Sequence, residues 1–134
     1  MVMRPLAITL LLLTPFAAPL EARSPNDVAE VRNGLLAVAV GDAIQKNCES
    51  ITPRLLRVYN LRNQLFSAAR AAGFSSEEID AFVDDPIARA NLRAEAEAYL
   101  SARGLEGESP AGYCAVGVAE IDQETAVGRL LRER

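Results

Sequence analysis

The sequence predicts an all-α fold, a small single-domain helical bundle of about five helices with one disulfide. Apolar residues recur at three- and four-residue intervals along most of the chain, which is the spacing of one helix face. Helix start signals interrupt this pattern, and no two segments alternate polar and apolar residues as paired strands would. The 134 residues, 50% of them hydrophobic, are enough for one core of moderate size but not for two.

Residues 1–22 differ from the rest of the chain and predict a secretory signal peptide. A basic start is followed by an uncharged apolar stretch at positions 5–20, and Ala22 is the small residue expected before a cleavage site. An uncleaved anchor is the alternative, but the stretch is shorter than a bilayer span of about 20 residues and contains Pro15. We therefore expect a mature periplasmic chain, residues 23–134, without an integral membrane span.

The first two helices are predicted from their start signals. Residues 24–27 supply a Ser N-cap, a Pro and an acid, so a helix should begin there and continue to about Asn47. The apolar run 35–40 is also compatible with a buried strand, yet the sequence contains no second strand to pair with it. A Thr-Pro pair at 52–53 repeats the start signal, and an apolar stripe continues from it to Gly73.

The third and fourth helices have the clearest local signals. Ser75 and Glu78 have the spacing of a capping box, which predicts a short helix to about Val83. Asp85 followed by a proline marks the next start, and the Ala-rich segment after it ends at Gly104.

The fifth helix is predicted to begin at Ser109, which also precedes a proline. The apolar pattern resumes after a polar break at 122–124. We expect the basic residues 129–134 to form a solvated helix end, whose cations suit the helix dipole, rather than a binding tail.

The two cysteines, Cys48 and Cys114, are expected to form a disulfide. In an oxidising compartment two cysteines of a small domain most simply pair, whereas in the cytosol they would be buried thiols. A redox role usually requires a Cys-x-x-Cys motif, which is absent, so the bond should be structural. It would join the end of the first helix to the start of the last.

The composition excludes several functional classes. The chain has no histidine, so a histidine-based triad and a histidine-ligated metal are impossible. No nucleophile elbow, phosphate loop or dinucleotide fingerprint occurs, and we expect no catalytic residue, metal or cofactor. The net charge is −4 and the arginines are interleaved with acids, which argues against a nucleic-acid partner.

Acidic residues crowd the third helix and its exit. Glu77, Asp80 and Asp84 are candidates for a partner-binding face, because rigid exposed charges suit recognition of a basic partner. A solvated acidic face is the simpler interpretation, because Glu77 and Glu78 lie in a first turn, where the helix dipole favours acids, and Asp85 is a helix cap. A Ca²⁺ site or an acid/base pair is a further reading, but the spacing does not match an EF-hand.

Three stretches, residues 41–48, 73–85 and 113–131, resemble a family of small exported alphaproteobacterial helical proteins with two cysteines and no known function. The resemblance covers nearly all of the mature chain and implies the helical architecture, but no activity and no catalytic residues. It also implies a link to respiratory NADH dehydrogenase, among whose genes such genes can lie.

The function expected from these observations is that of a non-catalytic accessory or assembly factor that binds another envelope protein, with a respiratory complex as one candidate. An alternative is an acid-stress chaperone, because protonation of many carboxylates at low pH could loosen the fold and expose apolar faces. A second alternative is an enzyme that uses the acidic cluster.

Overall fold

The computed structural model describes residues 24–134, and this part of the chain is predominantly helical, as the sequence predicts. Its α-helices are α1 (Ala29–Asn47), α2 (Leu55–Ala71), α3 (Ser76–Asp84), α4 (Pro86–Ala102) and α5 (Pro110–Asp122). A 3₁₀ turn (Pro25–Asp27) precedes α1, a second one (Gly128–Leu130) follows α5, and two short strands are β1 (Ile51–Pro53) and β2 (Leu131–Glu133). The predicted signal peptide lies outside the described residues.

Most of the predicted helix starts are correct because their caps form. Ser24 and Asp27 make a capping box, although it opens the 3₁₀ turn and not α1 itself. The side chains of Asp85 and Ser109 accept hydrogen bonds from the first turns of α4 and α5, and each is followed by a proline in the first turn. Residues 35–40 lie inside α1, which confirms the helix prediction and excludes the strand alternative for this run.

Helix α1 is central and packs against α2, α4 and α5. The larger hydrophobic core forms around Val40 and Ile44, which are fully buried. Helix α5 approaches closely at Gly117, where a Cβ atom would overlap the side chains of Ile44 and Ile51. Glycine at this position therefore sets how tightly the first and last helices pack.

A second, smaller apolar cluster joins the start of α1 to α2 and α3. Its buried members are Val31, Ala69, Phe74 and Ile79. Phe74 precedes the N-cap of α3 and Ile79 lies in its second turn, so their burial in one cluster confirms the expected hydrophobic staple.

The short sheet corrects two predictions. Strand β1 pairs antiparallel with β2, with Thr52 opposite Arg132. The Thr-Pro pair at 52–53 is therefore a strand and not a helix start, and α2 begins at Leu55. The C-terminal residues 129–134 are likewise not a helix end, since they complete a 3₁₀ turn and then form β2.

Burial explains why the C-terminal segment is extended. Helix α5 ends at Asp122, and Glu124 has a positive φ of 50°, which turns the chain back towards the core. Leu130 and Leu131 are both buried there, and the backbone N–H of Arg54 donates to the carbonyl of Leu130 at 2.7 Å. Pairing with β1 satisfies backbone groups that a single buried strand would leave without partners.

The structure confirms the disulfide between Cys48 and Cys114. Their Cα atoms are 5.2 Å apart, and Cys48, the C-cap residue of α1, is only 1% exposed. The bond fastens the end of α1 to the first half of α5, as expected from the sequence.

Candidate protein-binding surface

Helices α3 and α4 form a rigid corner. The hydroxyl of Ser75 accepts a hydrogen bond from the Glu78 N–H at 3.1 Å, and the Glu78 carboxylate accepts one from the Ser75 N–H at 2.7 Å. Asp85 is both the C-cap of α3 and the N-cap of α4, and its carboxylate accepts a hydrogen bond from the Ile87 N–H at 3.1 Å. Since a single capping residue joins the two helices, it restricts their relative orientation.

The structure brings Glu77, Asp80 and Asp84 onto one exposed face of α3. They are spaced i, i+3 and i+7, so they lie in one row along the helix. Asp84 forms an exposed ion pair with Arg89 at 3.2 Å. Within residues 24–134, Glu77 and Asp80 make no hydrogen bond or ion pair, and their charges face water. We call these three residues the acidic row.

An apolar groove lies between the end of α3, α4, Leu35 of α1 and the 3₁₀ turn that precedes α1. The acidic row is next to it, because Val83 at the groove margin follows Asp80 by one helical turn. It has a volume of about 320 Å³. Val83 is 51% exposed and Ile87 is 69% exposed at its margin. Its other apolar lining residues are Leu35, Phe82, Ala88 and Leu92. We call it the α3–α4 groove.

The groove also has polar lining residues. Asp85, Arg89, Asn91 and Glu95 contribute polar atoms to it. The charged lining residues are two acids and one arginine, so the excess of negative charge beside the groove comes from the acidic row on α3. An apolar strip next to such a row suits an amphipathic segment with basic residues. No group of three or more Asp, Glu, Cys or His side chains in the part of the chain described is arranged to hold a metal ion.

A buried polar network on α5 was not anticipated from the sequence. Glu120 is only 1% exposed, and its carboxylate forms an ion pair with Arg103 at 3.1 Å. It accepts hydrogen bonds from the hydroxyls of Tyr99, at 2.9 Å, and Thr125. The Arg103 guanidinium lies over the Tyr99 ring, 4.8 Å from its centre. Every polar group of Glu120 therefore has a partner.

The hydrogen bonds and ion pair of this network link α4, α5 and the turn that follows α5. Burial raises the pKa of Tyr99, and the hydrogen bond to Glu120 and that carboxylate's negative charge raise it further. None of these side chains lines the α3–α4 groove. A sequence signal did exist: Glu120 falls on the apolar face of α5, four residues after Val116.

The fold and the surface define a small, disulfide-linked helical domain with an exposed groove and an acidic border. No helix within residues 24–134 is long and apolar enough to cross a bilayer.

The chain belongs to a family of unknown function, DUF5333, whose model matches residues 24–132. This match agrees with the resemblance to a family without an assigned function. Comparison with curated proteins gave no match, and comparison with solved structures gave none either.

Proposed function

We propose that the protein is an exported, non-catalytic accessory or assembly factor that binds another envelope protein, with a respiratory complex as one candidate. The observation that carries this proposal is the α3–α4 groove, in which exposed Val83 and Ile87 lie beside the acidic row. A periplasmic location follows from the predicted signal peptide.

The groove supplies affinity through apolar burial. Full burial of a Val or Ile side chain contributes about 1.5–3 kcal/mol, and roughly half to two thirds of Val83 and Ile87 is still accessible to a partner. Covering both would therefore contribute roughly 2–4 kcal/mol before the costs of association.

The acidic row supplies specificity and speed. Exposed charges raise the association rate and exclude wrongly charged partners more than they add affinity. Glu77 and Asp80 have no partner among the described residues, so their charges are free for such a contact. The complementary ligand is a basic, amphipathic segment of another protein.

The test begins with identification of the partner by photo-crosslinking from Ile87, with exposed Ala98 on α4 as the matched position. The association rate is then measured over a salt series for the triple variant Glu77→Gln, Asp80→Asn and Asp84→Asn. We expect roughly tenfold slower association at low salt and a flatter salt dependence.

A second triple variant controls for net charge. Glu97, Glu106 and Glu108 are exposed and lie outside the groove, so their replacement by Gln changes the net charge by the same amount. Its association rate should stay within about twofold of the wild type. Equal effects of the two triple variants would contradict a specific role for the acidic row.

The acid-stress chaperone is separated from this proposal by a simpler assay. A holdase activated by acid suppresses aggregation of a model client at pH 3 but not at pH 7. An accessory factor of the kind proposed here suppresses aggregation at neither pH.

A further inference from the structure

The first two turns of α2 present large apolar side chains to solvent. Leu55 and Leu56 are each 73% exposed, and Tyr59 is 58% exposed. They lie at the opposite end of α2 from the apolar cluster that contains Ala69. Adjacent leucines this accessible are not needed for the core, which α2 reaches through Val58, Leu61 and Leu65.

Arginines surround these apolar side chains, and each of them donates a hydrogen bond to a nearby segment of the same chain. Arg54 donates to the carbonyl of Leu131 at 3.0 Å, and Arg57 donates to that of Arg129 at 3.0 Å. Arg132 on β2 donates to the Thr52 hydroxyl at 3.4 Å. Carbonyl and hydroxyl acceptors do not neutralise a guanidinium charge.

The positive charge of this region is therefore largely uncompensated. Arg54, Arg57 and Arg132 form no ion pair with any residue between 24 and 134. Residues 51–75 are an exception to the interleaving of arginines with acids, since this stretch contains four arginines and no acid in a chain whose net charge is −4. The acids near Leu55 are Glu133 at the end of β2 and Asp42 on α1, and Asp42 already forms an ion pair with Lys46. The basic–apolar surface is defined by Arg54, Leu55, Leu56, Arg57, Tyr59 and Arg132.

We infer that the basic–apolar surface docks the protein on an anionic lipid surface. Leu55 and Leu56 enter the boundary between headgroups and acyl chains, and Tyr59 lies at headgroup level. Arg54, Arg57 and Arg132 contact the lipid phosphates, with their aliphatic parts packed along the apolar side chains.

The size and charge of the surface favour lipid over protein as the occupant. A standard protein interface involves about 20–30 residues from each partner, whereas this surface has six and centres on one helix end. A two-fold dimer through the same surface would bring like charges together. A lipid surface requires only a few apolar side chains and nearby cations.

A tryptophan probe tests the proposed depth of insertion. The protein has no tryptophan, so Leu56→Trp introduces a unique fluorophore. We expect its emission to shift to shorter wavelength with vesicles of phosphatidylglycerol and phosphatidylethanolamine, but not with phosphatidylcholine alone. Ala98→Trp, at an exposed position on α4, is the matched control and should not shift.

Vesicle sedimentation measures the contributions of the leucines and arginines separately. Leu55→Ser with Leu56→Ser, and Arg57→Gln with Arg132→Gln, should each weaken partition onto anionic vesicles by roughly tenfold or more. Arg93→Gln on α4 removes an exposed cation elsewhere and should change the partition onto vesicles by less than about twofold. The double leucine variant should keep its fold, since both side chains are exposed and lie outside the core.

The full chain is expressed, and every variant is compared with the wild type after the same N-terminal processing. Any contribution of residues 1–23 to vesicle binding is then equal in all of these proteins. The inference is overturned if the wild type does not bind anionic vesicles at low salt, or if both double variants bind them as well as the wild type does. Either result would point to a protein partner for this surface. The acidic-row triple variant should retain vesicle binding, so failure of the proposed function would be recognised separately.

Discussion

Loss of the Cys48–Cys114 disulfide should lower the thermal midpoint by about 15–20 °C. The bond joins residues separated by 66 positions, and the loop-entropy relation gives about 4 kcal/mol for a loop of this length. Unfolding entropy of about 2.1 cal/mol/K per residue, over roughly 110 residues, gives about 0.23 kcal/mol/K for the domain. The ratio of these two quantities is the predicted shift.

The assay is thermal unfolding followed by circular dichroism, with the oxidised protein compared with the same protein after reduction. The variant Cys48→Ala with Cys114→Ala should melt at or slightly below the reduced midpoint, because Cys48 is buried and its truncation leaves a small void. A decrease of less than about 5 °C on reduction would refute the loop-entropy reasoning. Alkylation without reductant should label neither cysteine.

Three further predictions concern single residues, and a fourth concerns the signal peptide. Arg103→Met should destabilise the fold by roughly 2–4 kcal/mol in urea unfolding, because it leaves the buried Glu120 carboxylate without its cation. The raised pKa of Tyr99 contributes stability that is present below its ordinary pKa of 10.0 and is lost at higher pH, so wild-type stability should fall above pH 10 more steeply than that of Tyr99→Phe. Gly128→Ala should cost roughly 2–4 kcal/mol in the same urea assay, since its Cβ would overlap the main chain of Glu120. N-terminal sequencing of the exported protein should begin at Arg23, and an intact Met1 in a cytoplasmic fraction would contradict the predicted signal peptide.

The helical fold could be predicted because its determinants are local. Ser75, Asp85 and Ser109 each lie within three residues of the backbone groups that they cap, so the sequence alone specifies these helix starts. The staple between Phe74 and Ile79 is also a short-range pattern, and the structure confirms it.

The sheet could not be predicted because its determinant is not local. Two three-residue strands are too short to show a period of two, and Thr52 meets Arg132 across 80 positions of sequence. The Thr-Pro pair at 52–53 imitates a helix start, and only pairing with β2 makes it a strand. Tertiary contacts overrode the local signal there.

The candidate sites divide in the same way. The acidic row was identified from spacing on α3, and the structure places its members on one face. The α3–α4 groove needed the packing of three helices, and the basic–apolar surface needed Arg132 to come next to α2. Glu120 was overlooked because its partners lie elsewhere in the sequence, Tyr99 on α4 and Arg103 directly after that helix.

The pairing of β1 with β2 has a consequence for folding kinetics. Helical bundles usually fold quickly because most of their contacts are between near neighbours in sequence. Here the core is closed by contacts across 66 and 80 positions, so the transition state must overcome the entropy of a long loop before α5 and β2 are in place. The protein should therefore refold more slowly with the disulfide reduced than with it preformed, because the bond shortens that loop.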